Sequence, residues 1–196
     1  MRKFKTDSRL NKIVNVANSR QASLRVVIEN VHDPHNVSAI FRTCDAVGVP
    51  KVSLLYTYEE FPKISKVTSA SAFKWVEKEK FKSTKECYDE LHKQGFKIYA
   101  SLLNEKAVNL YDIDLTEKVA IVMGNESRGV SEEAAELADE CYYIPMRGMI
   151  QSLNVSVAAA VTLYEAQRQR VLKGLYNRTE LSEDELNKLI DEWCDK

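Results

Sequence analysis

The sequence predicts an α/β fold: a mostly parallel sheet flanked by helices on both faces. Two observations carry this. Short β-rich runs alternate with stretches of helical periodicity along most of the chain, the pattern of βα units whose crossover helices cover a parallel sheet. In addition, residues 30–42, 124–129 and 145–154 are polar or glycine-bearing segments that each follow one of these runs. Open α/β sheets bind ligands in such loops, beyond the carboxyl ends of their strands. With 196 residues, 44% of them hydrophobic, the chain can build one sizeable core and fits a single domain with terminal additions.

The elements follow in order. An amphipathic helix is predicted over residues 7–18, with Leu10, Ile13, Val14 and Ala17 on its apolar side. Residues 24–29 (LRVVIE) are β-rich and suit a buried strand. The polar, Pro-containing stretch 30–36 is loop, and a helix runs from about Asn36 to Val47, closed by Gly48 as a C′ residue. Residues 51–56 form the next strand. A looser central region precedes a helix over 83–94, a strand over 96–101 and a strand over 119–123. After Gly124–Gly129 comes a short helix over 131–138 with Ser131 as N-cap, then a strand over 141–144 before Pro145. The stretch from Val155 to Arg170 is a long helix whose near-continuous apolar residues suggest burial on most of its sides. Ser182-Glu183-Asp184-Glu185 is a capping box opening a last helix to about Trp193.

Composition excludes several classes. No apolar run approaches the ~18 residues of a membrane span, and the basic start MRKFKTDSRL lacks the apolar core of a secretory signal, so a soluble, cytoplasmic protein without a membrane partner is expected. Cys44, Cys87, Cys141 and Cys194 form no C-x-x-C pair and are expected to be reduced thiols. No G-x-G-x-x-G follows a strand, no phosphate-binding G-x-x-x-x-G-K-[ST] exists, and no serine sits in G-x-S-x-G. His32 and His35 are close in sequence, but His92 stands apart in a Lys-rich helix end and no third ligand suggests itself, so no metal is expected. The net charge of −1 argues against a generic polyanion binder, yet it is unevenly spread. Residues 1–25 carry Arg2, Lys3, Lys5, Arg9, Lys12, Arg20 and Arg25 against Asp7 alone, which suits either a solvated helix face or a nucleic-acid clamp.

Some residues are ambiguous on chemistry alone. Ser152 and Asn154 both suit the N-cap of the long helix, and one cap explains only one of them; the other suggests a ligand at the helix start. Arg42 suits an ion pair with Glu126 or Asp45, or equally an anchor for phosphate through its forked guanidinium. Glu126, just after Gly124-Asn125, is open in the same way.

The N-x-x-D-P-x-N-x-x-A-x-x-R stretch at residues 30–42, the G-N-E-x-x-G stretch at 124–129, and I-P-M followed by S-L-N-V-S-V-A-A-A at 144–160 together resemble, in order and spacing, the three motifs of the SpoU (SPOUT) RNA ribose 2′-O-methyltransferases. Thr68-Ser69-Ala70, Lys74-Trp75-Val76, residues 148–154 and residues 163–170 are similar to the branch of that family, TrmH, that methylates guanosine 18 of tRNA. The branch usually has glycine after Thr-Ser-Ala, where this chain has Ser71. The resemblance implies a fold with a deep C-terminal trefoil knot, contrary to the usual absence of threaded chains. It also implies S-adenosylmethionine as cofactor, tRNA as substrate and a homodimer.

By the same resemblance the domain over 21–172 is the methyltransferase, residues 1–20 are a basic RNA-binding extension and 173–196 a C-terminal helical extension. Catalysis falls to Arg42, Asn36, Glu126, Ser152 and Asn154. Cofactor contacts fall to Gly124, Ile144, Met146, Ser152, Leu153 and Asn154. RNA contacts are expected from Arg2, Lys3, Lys5, Arg9, Arg20, His35, Arg168, Arg170 and Lys173. A related enzyme acting on ribosomal RNA, or a non-catalytic RNA-binding relative, would share much of this pattern. The short N-terminal helix, and the presence of every candidate site residue, argue against both.

Overall fold

A computed structural model describes residues 2–64 and 72–196 of the chain. The described strands β1 (Leu24–Glu29), β2 (Lys51–Leu55), β3 (Glu77–Phe81), β4 (Lys97–Ser101), β5 (Val108–Asn109), β6 (Val119–Met123) and β7 (Glu140–Tyr143) form one sheet in the order β3-β2-β1-β6-β4-β7-β5. Every pairing is parallel. The helices are α1 (Asp7–Asn18), α2 (Pro34–Val47), α3 (Ala72–Trp75), α4 (Thr84–Lys93), α5 (Glu132–Leu137), α6 (Val155–Leu172) and α7 (Glu183–Asp195). The expected α/β class with a parallel sheet is therefore the one observed. Thr68-Ser69-Ala70 lies outside the described residues.

Period-two alternation splits the core in two. Leu24, Val26 and Ile28 of β1 join Val52, Leu54, Ile121 and Met123 on the face covered by α2 and α6. Val27, Leu55, Ala120, Val122, Ile98 and Ala100 face the other way, against Cys87, Tyr88 and Leu91 of α4 and Ala134 of α5. A third, smaller cluster joins the two ends of the chain: Ile13 and Ala17 of α1 pack on Ile190, Trp193 and Cys194 of α7. Trp75 meets Trp193 edge to face at 5.3 Å, which ties α3 to that cluster.

Two strands escape the sequence pattern. β3 reads Glu-Lys-Glu-Lys-Phe, with mostly exposed charges, because it is an edge strand; charge there discourages pairing with another chain. β5 is two residues long at the opposite edge. Helix α2 begins at Pro34, two residues before the expected start. Asp33 caps it by accepting from the His35 N–H at 2.8 Å, and Pro34 needs no donor in the first turn.

Helix α6 departs from the expectation of burial on most sides. Ala159, Thr162, Leu163, Glu165, Ala166 and Arg170 are buried, while Val157, Tyr164 and Val171, spaced at sevens, are 46%, 53% and 55% exposed.

The expectation that Arg20 and Arg170 hold RNA is corrected here, since both are fully buried. Arg20 pairs with Asp45, donates to the carbonyls of Asp45 and Val49, and lies over the Trp193 ring at 4.9 Å. Arg170 donates to the carbonyls of Leu115 (3.0 Å), Glu117 (2.7 Å) and Ser23 (3.2 Å) and to the Ser23 hydroxyl (2.7 Å), gathering the loops that enter β1 and β6. A guanidinium has five donors and no acceptor, so a turn rich in unpaired carbonyls is the partner it suits.

Arg170→Met should therefore cost about 3–5 kcal/mol of folding stability in urea unfolding, because buried carbonyls lose their donors. A variant with the wild-type unfolding midpoint would show that those carbonyls find other partners.

Candidate active site

The sheet order puts β6 beside β1 while β2 lies on the other side of β1, so the loops leaving β1 and β6 part at the middle of the sheet. That divergence opens the crevice in which α/β sheets hold ligands. Three loops line its edge: the one after β1 (residues 30–33), the one after β6 (124–129) and the one from β7 to α6 (144–154).

A single carboxylate joins the first two. Glu126 Oε1 accepts from the Asp33 N–H (3.0 Å) and from Asn36 Nδ2 (3.0 Å), and Oε2 accepts from the His32 N–H (3.1 Å) with His32 Nδ1 at 3.2 Å. Burial alone would raise the Glu126 pKa, but the Asn36 amide and the backbone donors of Asp33, Glu126 and His32 outweigh it and hold the group down at about 2. Asn36 then extends the line, its Oδ1 accepting from Asn154 Nδ2 at 3.0 Å. Asn154 is the N-cap of α6 and accepts from the Ser156 N–H at 2.9 Å. The choice of cap between Ser152 and Asn154 thus falls to Asn154, and Ser152 is left exposed at the cavity.

Glu126–Asn36–Asn154 therefore runs through all three loops. It also fixes what these residues can do. Both polar atoms of the Asn36 amide are engaged in this line, so Asn36 orients the loops. A carboxylate held near 2 with its lone pairs occupied is a poor proton acceptor, so Glu126 is a positioning group.

A second pair of asparagines braces the same loops from below. Asn125 Nδ2 donates to the Asn30 carbonyl at 2.8 Å, and its Oδ1 accepts from the N–H groups of Ser127 and Arg128. Gly124 is required by close approach: a Cβ there would sit 2.2 Å from the backbone of Gly129 and Val130. Gly129 closes the turn at φ +71, a left-handed conformation suited to glycine.

Beside this frame lies a cavity of about 670 Å³, within the range of small-molecule sites. Gly124, Glu126, Ile144, Met146, Ser152 and Leu153 line it. Asn154 and Asn36 stand behind it and are absent from its lining, as is Arg42. Sequence reasoning missed the loop after β4, Ser101-Leu102-Leu103, which also lines the cavity. Its position at the C-terminal end of a parallel strand was the available signal.

Arg42 is exposed on α2 and makes no ion pair among the described residues: Asp45 is taken by Arg20 and Glu126 by its own cage. His35 is exposed at the start of α2. The basic ends are more engaged than expected. Arg2 binds Asp191 at 2.7 Å and the Asn187 carbonyl at 2.9 Å, and Arg9 lies over the Trp75 ring at 5.4 Å. Arg168 pairs with Glu165 at 2.8 Å, and Lys173 with Asp114 at 3.3 Å. These four pairs reach the surface, where such contacts exchange readily. Lys5 is half-buried, and the side chain of Lys3 lies outside the described residues.

The Glu126 cage has a pH signature. Because its folded pKa lies below the ordinary 4.5, its contribution is complete above pH 4.5 and is lost as pH falls toward 2. Wild type should exceed Glu126→Gln in stability by about 2–3 kcal/mol near neutrality, with the gap closing through that acid window in pH-dependent unfolding. A gap that stays constant to pH 2 would mean that the charge contributes nothing.

Comparison with known proteins agrees with this frame. The chain is 45% identical over 192 residues to the tRNA (guanosine(18)-2'-O)-methyltransferase of Thermus thermophilus, covering 98% of each. It superposes on the A. aeolicus TrmH/SpoU tRNA modifying enzyme with a TM-score of 0.89 and 43% identity, covering 95% of each chain. The SpoU methyltransferase AviRb from Streptomyces viridochromogenes, in complex with AdoMet, shares the fold at a TM-score of 0.70 and 24% identity, covering 79% of this chain and 62% of that one. The model of the SpoU rRNA methylase family matches residues 23–164, which hold all three loops, the Glu126 carboxylate and the cavity beside them, and the chain belongs to that family.

Proposed function

We propose that this chain transfers a methyl group from S-adenosylmethionine to the ribose 2′-OH of guanosine 18 in the D-loop of tRNA. The observation that carries the reading is the Glu126–Asn36–Asn154 line, which ties the loop after β1 to the two loops that line the cavity and leaves Arg42 and Ser152 exposed. Near full-length likeness to a tRNA guanosine-18 enzyme favours tRNA over ribosomal RNA as substrate.

The cavity suits the cofactor. Its wall mixes apolar side chains (Leu102, Ile144, Met146, Leu153) with the bare backbone of Gly124. Bound S-adenosylmethionine supplies an electrophilic methyl on a sulfonium. Gly124, Ile144, Met146, Ser152 and Leu153 hold it, and Asn154 fixes the loop behind them.

The residues then have to place a poor nucleophile in line and ease its deprotonation. The Arg42 guanidinium anchors phosphate and stabilises the developing oxyanion, while the 2′-OH proton passes to solvent water and the cofactor leaves as the neutral thioether once its methyl–sulfur bond breaks. Ser152 orients the ribose by hydrogen bonding. Arg2, Lys3, Lys5, Arg9, His35, Arg168 and Lys173 draw in the RNA backbone, whose phosphates dominate affinity. In this reading residues 1–20 and 173–196 are the RNA-binding extensions of a 21–172 catalytic domain, the segment behind the cavity threads as a deep trefoil knot, and the protein works in the cytoplasm.

A homodimer completes the reading. Val157, Tyr164 and Val171 make an apolar stripe on α6, with Leu172 74% exposed at its end and Met149 and Ile150 exposed in the loop before it. An isologous pair would bury this stripe against its own copy, one subunit's termini holding RNA over the other's cavity.

The substrate is tested with labelled S-adenosylmethionine and two tRNAs differing only in a 2′-deoxy guanosine at position 18. Both should bind, and only the ribo form should accept label; equal incorporation would place the methyl on a base and end the reading. Arg42→Ala should reduce transfer at least ~10²-fold while cofactor affinity in calorimetry stays within a few-fold. Tyr164→Glu should convert a dimer to monomer in sedimentation analysis, and a monomeric wild type would refute the pairing.

A further inference from the structure

Arg128 and Tyr58 form a contact that the proposed chemistry leaves unused. The Arg128 guanidinium lies over the Tyr58 ring, 4.8 Å from its centroid, and both side chains are exposed, Tyr58 by 47%. Arg128 belongs to the loop that carries Glu126 and lines the cavity. Tyr58 follows β2, whose end lies beside that of β1.

The backbone under this pair is fastened with unusual care for a surface contact. Asn30 is fully buried and has φ +50, the one non-glycine residue with positive φ among those described. Its Oδ1 accepts from the N–H groups of Thr57 (2.9 Å), Tyr58 (3.3 Å) and Glu59 (3.2 Å), and its Nδ2 donates to Thr57 Oγ1 at 3.0 Å. The Asn30 carbonyl in turn accepts from Asn125, which holds the Arg128 N–H. One chain of hydrogen bonds thus runs from the backbone of Tyr58 to the backbone of Arg128 through two buried amides. A surface cation–π pair contributes only about 0.5–1 kcal/mol, which does not by itself account for a left-handed asparagine beneath it. Backbone held in such a conformation is typical of sites where side-chain placement matters.

We infer that the Tyr58–Arg128 pair is a stacking platform for the nucleobase of the nucleotide whose ribose is methylated. Single-stranded RNA bases are recognised by stacking on aromatic rings and on guanidinium planes. The pair offers both, and Arg128 stands on a loop that lines the cavity. A base seated there would hold its ribose beside the cofactor, so the platform positions the substrate and leaves the chemistry to others. The inference rests on the ribose-methyltransferase reading.

The test is a cycle across enzyme and RNA. Methyl transfer by wild type and Tyr58→Ala is measured on tRNA and on a tRNA whose target nucleotide is abasic but keeps its 2′-OH. Tyr58→Ala should lower kcat/KM on normal tRNA about 10–100-fold, matching 1–3 kcal/mol of stacking, with cofactor affinity unchanged and Tyr58→Phe close to wild type. On the abasic tRNA the two enzymes should be equal, because the contact is already gone. An undiminished Tyr58→Ala defect on the abasic tRNA, or no defect on normal tRNA, would overturn the platform. If wild type methylates neither substrate, the ribose-methyltransferase reading fails instead.

Discussion

The carboxylate of Glu126 is the contact on which the site depends. Its two oxygens gather donors from His32, Asp33 and Asn36, residues distant in sequence from it. Without that carboxylate, the turn into α2 would lose the acceptor for the His32 and Asp33 N–H groups. Asn36 carries the constraint to Asn154, so the first turn of α2, the turn after β6 and the cap of α6 have one common position. The cavity inherits its shape from this arrangement. Three polar side chains are engaged with one another here, while Arg42 and Ser152 stand exposed beside them.

Below the site the same logic is repeated with arginine. Arg170 serves the entrances of β1 and β6, while Asn125 and Asn30 serve their exits. The central strand pair is therefore clamped at both ends by side chains whose hydrogen-bonding atoms outnumber what a single backbone neighbour could supply. Leu24, Val26 and Ile28 fill the space between with apolar contacts that carry no direction. Hydrophobic burial holds the strands together, and the buried polar groups set where their loops go.

Where a local pattern decides an element, the sequence revealed it. The bounds of α1, β1 and β6 are legible because periodicity and caps agree there, and the capping box at Ser182 forms with both of its bonds. β3 was hidden because an edge strand need not alternate. The three loops were found from their polar composition at strand ends, but how Asn36 is used could not be, since its partners Glu126 and Asn154 lie in the other two loops. Arg20 and Arg170 mislead for a related reason. Charge type suggests solvent or phosphate, and only the fold reveals the backbone carbonyls that take these donors. The exposed stripe on α6 was obscured in the same way, because apolar residues on every side conceal which side the core takes.

The clasp between α1 and α7 bears on how the chain comes off the ribosome. Helix α1 is made long before the α7 surface that covers Ile13 and Ala17. Synthesis of 196 residues takes about 10–40 s, and for most of that time the nascent α1 has its apolar side uncovered. β1 waits about half as long for β6, its neighbour in the middle of the sheet. Packing of α1 on α7 is then a late event, because it joins two segments far apart in sequence.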